Sequence, residues 1–140
     1  CEMDGREEGM RGHCFESHGL LHDQVQAPEV AVDVVVLHLG LIGTSRVRQL
    51  AQTRDYLQRH IPPDEALVIA GDFNCVRLAK NWAQDTLQAR SHQQAATFPS
   101  RQLDHIFTRG LHTEQLYAPR GKAWLQMSDH LPLVAELQWR

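Results

Sequence analysis

The chain has 140 residues, the length of one domain, and its 42% hydrophobic and 22% charged residues are ordinary for a globular protein. No apolar run approaches the roughly 20 residues that a membrane-spanning helix needs, and the N-terminus lacks a secretory signal pattern. Three cysteines without metal-type spacing argue against a disulfide framework and favour a reducing, cytoplasmic compartment. The net charge of −3 argues mildly against loose binding of nucleic acid, although residues 31–140 carry ten acidic and twelve basic side chains.

The start of the chain is weakly patterned, and the first strong signal is a β-branched run. Residues 10–17 favour a strand, and residues 18–29 favour a loop that ends at Pro28. The run AVDVVVLH predicts a buried strand over residues 31–38.

A helix is predicted after this strand. Thr44 or Ser45 supplies its N-cap, and Pro62 stops it. Its apolar positions, near helical spacing, are Val47, Leu50, Ala51 and Leu57. The run ALVIAG at residues 66–71 is the next buried strand, so the segment resembles a βαβ unit.

The second half predicts short elements of both kinds. Residues 75–100 are polar, with one or two helical turns around Trp82 and Leu87. Strands are predicted at 103–108, 112–118 and 131–139. The last strand alternates, and its apolar face, expected in the core, is Leu131, Leu133, Ala135, Leu137 and Trp139. The fold class is therefore mixed α and β.

Polar side chains gather at the ends of the predicted strands, where sheets commonly build functional sites. They are His38, Asp72, Asn74, Asp104, His105, Asp129 and His130. Taken singly, each has a structural interpretation: an aspartate in a turn, Asn74 in a left-handed turn, His38 as a core histidine, or Asp104–His105 facing solvent. Taken together, they suit hydrolysis of a phosphate ester, which needs an oriented water, a divalent cation and proton transfer to the leaving oxygen.

Four motifs in order, VVVLHLGL, VIAGDFN, LDHIF and SDHLPL, resemble the C-terminal half of the endonuclease/exonuclease/phosphatase superfamily. The likeness extends over about residues 9–140. It implies an α+β fold, part of a four-layer α/β/β/α sandwich of the deoxyribonuclease-I-like type, with a mixed sheet and helices outside. Residues 1–140 would be a single domain, the C-terminal portion of a longer enzyme.

The resemblance also implies roles for individual residues. Asp72 would orient or deprotonate the attacking water, and Asn74 would hydrogen-bond the phosphate. His130 would contact the scissile phosphate, with Asp104 as its buttress and His38 as a second phosphate-contacting histidine. Asp129, with Asp72, would bind Mg²⁺ or Mn²⁺. His105 carries no role in the family, so it is expected to be structural.

The chain departs from the family pattern because the first half of the sandwich, which supplies a metal-binding Asn and Glu, is not apparent in it. Two alternatives therefore stay open: a catalytically silent module that binds phosphate or nucleic acid, and an inactive fragment of a longer enzyme. The expected partner is a phosphate-ester substrate, whether nucleic acid, nucleotide or lipid headgroup. An exposed sheet face is expected to be available for association.

Overall fold

A computed structural model describes residues 11–15, 18–88 and 102–139, with the side chains of residues 19–88 and 102–139. Seven strands and three helices are found in these ranges. In chain order they are β1 (Arg11–Phe15), β2 (His18–Gln26), β3 (Ala31–His38), α1 (Gly43–His60), β4 (Ala66–Asp72), α2 (Arg77–Leu87), β5 (Asp104–Arg109), β6 (Leu111–Tyr117), α3 (Lys122–Met127) and β7 (Val134–Trp139). No helix in the described part is long and apolar enough to cross a membrane.

The main sheet is mixed and has five strands in the order β1-β2-β3-β4-β5. Strands β3 and β4 are parallel, and every other neighbouring pair is antiparallel. The connection from β3 through α1 to β4 is therefore the predicted βαβ unit, which is confirmed. Strands β6 and β7 pair antiparallel in a separate two-stranded sheet.

One face of the main sheet carries the hydrophobic core. The β-branched runs of β3 and β4 put Val35, Leu37, Leu67 and Ile69 on this face, where all are almost fully buried. Helices α1 and α2 contribute the rest of the same cluster, including Leu50, Leu57, Ala83 and Leu87. The Trp82 indole Nε1–H donates to the Leu50 carbonyl at 3.0 Å, so a hydrogen bond also ties α2 to α1.

The opposite face of the sheet is apolar as well, but it is only partly covered. The period-two alternation of strands places Val34 and Val36, Val68 and Ala70 there, and Val36 is 44% exposed. This agrees with the expectation of an exposed sheet face.

The prediction of a loop over residues 18–29 was wrong. Residues 18–26 form β2, which pairs along its length with β3. One polar residue of this strand has partners inside the fold: the buried His22 Nε2 lies 2.8 Å from Asp33 Oδ1, and its Nδ1 lies 2.9 Å from Tyr56 Oη. A histidine satisfied in this way is compatible with a strand interior.

The predicted helix is confirmed at residues 43–60, with Leu50 and Leu57 on its buried face as expected, but its cap and the other two apolar positions were assigned wrongly. Helix α1 begins at Gly43, so Thr44 and Ser45 lie inside its first turn, and no side chain caps it. Two predicted apolar positions, Val47 and Ala51, are exposed. The buried face is instead Gln49, Leu50, Thr53, Tyr56 and Leu57, because polar side chains there form internal hydrogen bonds.

Three elements of the second half also differ from the prediction. Helix α2 has 11 residues, three turns where one or two were expected. Helix α3 was not predicted. Strand β7 begins at Val134, so Leu131 and Leu133 precede it, and its apolar face is half-buried to exposed rather than part of the core, with Trp139 40% exposed.

Gly71 lies where the backbones of β3 and β4 leave no room for a side chain. Its φ is +141°, and a Cβ built there would lie 1.9 Å from the Leu37 carbonyl oxygen. We expect Gly71→Ala to lower the free energy of unfolding by at least about 3 kcal/mol, because both the clash and the backbone strain involve rigid main chain. Urea unfolding measures this change.

Gly43→Ala is the matched control, because a Cβ at Gly43 meets only the tip of Arg46 at 3.7 Å. In the first turn of α1 this substitution should be neutral or stabilising by about 0.5–1 kcal/mol. Equal unfolding free energies for the two variants would contradict the close approach described here.

Candidate active site

The register of the sheet brings three of the predicted site residues onto one rung. His38 is paired with Asp72 across the parallel β3/β4 ladder, and Asp72 is paired with Asp104 across the antiparallel β4/β5 ladder. Each follows the alternation of Val36, Ala70 and Ile106, so the three side chains lie on the face opposite to α1 and α2. The sheet itself therefore places these groups beside one another.

His130 completes the cluster from the segment that precedes β7. Its Nδ1 lies 2.7 Å from Asp104 Oδ2, a short hydrogen bond, and its Nε2 lies 3.9 Å from Asp72 Oδ2. On the other side, His38 Nε2 lies 3.8 Å from the same Asp72 oxygen. These two distances exceed the range of a direct hydrogen bond, but one water or ligand oxygen bridges such a gap. Asp72 therefore stands between two imidazoles without closing a hydrogen bond to either.

The turn after β4 holds Asp72 in place. The Asn74 backbone N–H donates to Asp72 Oδ1 at 2.8 Å, and the Asn74 side-chain Nδ2 donates to the Leu39 carbonyl at 2.7 Å. Asn74 has a φ of +49°, a left-handed conformation that asparagine tolerates better than most residues. The turn interpretation of Asn74 is thus correct, and the same turn lies beside the cluster.

The carboxylates around His130 favour its cationic form. Partial burial by itself lowers the pKa of His130, but the hydrogen bond to Asp104 and the negative charges of Asp104, Asp72 and Asp129 together raise it above the ordinary histidine value. A protonated imidazole held against a carboxylate is a suitable proton donor. The pair can therefore deliver a proton at Nε2, the atom that faces Asp72.

The donor set fits a hard divalent cation. Ligand atoms of Asp72, Asp104 and His130 all lie within 4.8 Å of one another. Two carboxylates suit Mg²⁺ or Mn²⁺, and His130 could add a ligand only in its neutral form, because a protonated imidazole has no lone pair to offer a metal. Asp129, predicted as a metal ligand, is exposed and does not belong to this group, although its charge acts on His130.

The structure contradicts one interpretation of the sequence and adds residues that the sequence did not single out. His105 does not face solvent: it is fully buried on the core side of β5, and burial lowers its pKa. The loop after His38 is held by Gln49, whose Oε1 accepts from the Gly40 N–H at 2.9 Å, and by Arg46, which donates to the Gly40 and Leu41 carbonyls. The sequence does contain a signal for Gln49: its helical spacing to Thr53 and Tyr56 places the three residues on one face of α1.

Residues 9–130 match the Endonuclease/Exonuclease/phosphatase family, and this chain belongs to it. Uncharacterized protein YbhP of Escherichia coli strain K12 is 30% identical over 135 residues, which cover 87% of this chain and 53% of YbhP. The chain therefore spans about half the length of the curated relatives that it matches.

Solved structures share the fold. The endonuclease/exonuclease/phosphatase from Bacteroides vulgatus has a TM-score of 0.73 at 16% identity, covering 88% of this chain and 56% of that chain. Mannosyl-6-phosphatase Bt3783 of Bacteroides thetaiotaomicron has a TM-score of 0.62 at 16% identity, with 87% and 57% covered. D. rerio TDP2 in complex with a single-strand DNA product has a TM-score of 0.63 at 17% identity, with 92% and 66% covered. The predicted superfamily and α+β, deoxyribonuclease-I-like fold are confirmed.

The environment of His130 gives a prediction about protonation. In metal-free protein, the His130 imidazole should titrate above 6.5, the ordinary histidine value, and Asp104→Asn should move the midpoint down. Because the folded pKa is raised, stabilisation by the pair is fully present below the unfolded pKa and is lost as pH rises through the folded pKa. Two-dimensional NMR of the imidazole, followed against pH, measures both midpoints.

Asp55→Asn is the control for that experiment, because Asp55 is exposed on α1, away from the sheet edge. It should leave the His130 midpoint unchanged. An unshifted midpoint in Asp104→Asn would show that the carboxylate does not stabilise the imidazolium.

Proposed function

We propose that this chain carries the catalytic carboxylates and histidines of a divalent-metal-dependent phosphoesterase, which hydrolyses phosphate esters by attack of an activated water. The observation that carries the proposal is the arrangement of Asp72, His130 and Asp104. One imidazole is hydrogen-bonded to a carboxylate through Nδ1 and presents Nε2 across a 3.9 Å gap to a second carboxylate. A carboxylate that can act as a base and an imidazole that can act as an acid therefore lie side by side, close enough for both to contact the same phosphate group.

Family membership supports hydrolysis of phosphate esters in general terms. One structural neighbour is by name a mannosyl-6-phosphatase, and another, TDP2, was solved with a single-strand DNA product. Proteins of this fold therefore include one that is named for action on a phosphomonoester and one that was solved with a nucleic acid. We infer that the substrate of this protein is a phosphate ester of a nucleic acid, a nucleotide or a lipid headgroup.

Each residue of the site has a role in this proposal. Asp72 orients the attacking water and accepts its proton, because its carboxylate faces the gap while Asn74 fixes its other oxygen. His130 donates a proton to the leaving oxygen, and Asp104 holds the imidazole in the required tautomer and stabilises its charge. His38, with a side chain 62% exposed beside Asp72, is placed to contact a phosphoryl oxygen. Asn74 keeps the turn in place and hydrogen-bonds the phosphate.

Asp72 and Asp104 would hold Mg²⁺ or Mn²⁺ directly, and Asp129, which is exposed and outside this cluster, would reach the ion through one of its waters. When bound, such an ion neutralises the negative charge that develops on phosphorus oxygens. The protein residues supply the orientation, the proton acceptor and the proton donor.

The chain is proposed to be one domain, the C-terminal portion of a longer endonuclease/exonuclease/phosphatase domain. The partly covered face of the main sheet, with Val34, Val36 and Val68, is proposed to be the face through which it associates.

Substitution of the two central residues tests the mechanism. Asp72→Ala and His130→Ala should each lower kcat on a chromogenic phosphodiester by about 10²–10⁴-fold, the usual contribution of a general acid or base. EDTA should abolish turnover, and added Mg²⁺ or Mn²⁺ should restore it. Steady-state kinetics with and without EDTA measures all of these effects.

His112→Ala and Asp55→Ala remove the same residue types from exposed positions on β6 and α1, so both should retain wild-type kcat. Equal turnover in all four variants would show that Asp72 and His130 do not have the catalytic roles assigned to them. Phosphate binding without turnover by the wild-type protein would instead support a silent binding module.

A further inference from the structure

The side chains of two consecutive residues of β5 lie on opposite faces of the sheet. Asp104 lies on the face of the candidate site, where it accepts a hydrogen bond from His130. His105 points to the other face, is fully buried within the core, and lies with its Nε2 2.8 Å from the Cys75 carbonyl oxygen. A carbonyl oxygen can only accept, so His105 must carry a proton at Nε2 and donate it.

The ring of His105 is fixed by aromatic neighbours. It stacks on Phe107, two residues along the same strand, with centroids 5.4 Å apart and planes at 8°. It also meets Phe73 edge to face, with centroids 5.5 Å apart and planes at 87°. Contacts on a face and an edge restrict rotation of the imidazole, so the direction of its N–H is set by the packing.

The carbonyl that receives this hydrogen bond belongs to the turn of the candidate site. Cys75 directly follows Asn74, which holds Asp72 and has a left-handed backbone conformation. The other side of the turn is bound by the Phe73 N–H, which donates to the carbonyl of Leu103, the residue that precedes β5, at 2.9 Å. A main-chain bond to Leu103 and a side-chain bond from His105 therefore hold the turn on both sides of Asn74.

We propose that His105 is a positioning residue, whose buried Nε2–H hydrogen bond to Cys75 fixes the 72–75 turn so that Asp72 and Asn74 keep their places opposite His130. This inference rests on the proposed function for its effect on catalysis, but not for its effect on the turn. Strand β5 then sets both sides of the site: Asp104 orients His130, and His105 orients the turn that carries Asp72.

Two substitutions separate the hydrogen bond from the volume of the ring. His105→Phe keeps a planar ring against Phe107 and Phe73 but removes the donor. His105→Gln places an amide nitrogen at the same side-chain position as Nε2, so it restores the donor without the ring. Leu67→Val is the control for lost stability, because Leu67 is fully buried at the other end of β4, where it is paired with Asp33 and Arg109.

Steady-state kinetics on a chromogenic phosphodiester gives the first result. We expect His105→Phe to lower kcat by about 10–100-fold, the effect of a displacement of about 1 Å in a reacting group, while KM changes by less than about threefold. His105→Gln should recover most of kcat. Leu67→Val should lower the melting temperature at least as far as His105→Phe and keep wild-type kcat.

Alkylation of Cys75 gives a second result that does not depend on activity. The Cys75 side chain is half-buried, and burial raises the pKa of its thiol, so we expect slow reaction with iodoacetamide in the native protein. Loss of the hydrogen bond in His105→Phe should loosen the turn and raise the alkylation rate of Cys75 by about tenfold. The rate should not change in His105→Gln or Leu67→Val. Mass spectrometry of the Cys75 peptide distinguishes it from Cys1 and Cys14.

The two results separate the positioning role from the proposed function. If the wild type shows no metal-dependent hydrolysis but His105→Phe opens Cys75, the proposed function fails and the role of His105 in the turn stands. Wild-type kcat and an unchanged Cys75 rate in a folded His105→Phe variant would overturn the inference. An equal loss of kcat in His105→Gln and His105→Phe would also overturn it, because the donor would then not matter.

Discussion

The in-register parallel pairing of β3 and β4 is the constraint on which the rest of the site depends. At Leu37 and Gly71 the two backbones are so close that no side chain fits between them. This approach aligns the next pair, His38 and Asp72, and lets the Leu39 N–H donate to the Asp72 carbonyl at 2.9 Å. Strand β5 continues the same rung with Asp104. A slip of one residue would send each of these side chains to the opposite face.

Because side chains alternate along a strand, one face of the sheet packs into the core and the other carries the residues of the site. Core residues such as Leu37 and Phe107 face the helices and supply burial. His38 and Asp104 lie an odd number of residues from them along the same strands, so they face away from the helices and carry polar chemistry. His105 shows that the separation is not complete, because a polar group on the core side still contacts the turn of the site. The closely packed core therefore helps to hold the site residues on the opposite face of the sheet in place.

Sequence patterns predicted the elements whose structure is determined by the local sequence. The β-branched runs before His38 and Asp72 identified β3 and β4, and the polar residues at their ends identified the sheet edge. Strand β2 was missed because its stability depends on a partner far along the chain: His22 is acceptable in the core only because Asp33 and Tyr56 satisfy it. The same holds for His105, whose hydrogen bond to Cys75 joins residues 30 positions apart. Propensity and periodicity contain no information about such contacts.

Histidine and aspartate occur together at two places on this sheet, and their geometry separates a structural cluster from a reactive one. The His22–Asp33 pair is buried, with a 2.8 Å contact on one ring nitrogen of His22 and a 2.9 Å contact on the other, so both ring nitrogens are used inside the fold. Around Asp72 the imidazole contacts are 3.8 and 3.9 Å long, at a partly exposed edge. A substrate or a water can approach this edge from solvent, whereas it cannot reach the buried pair. The same two residue types thus serve packing within the core and lie within reach of a ligand at the sheet edge.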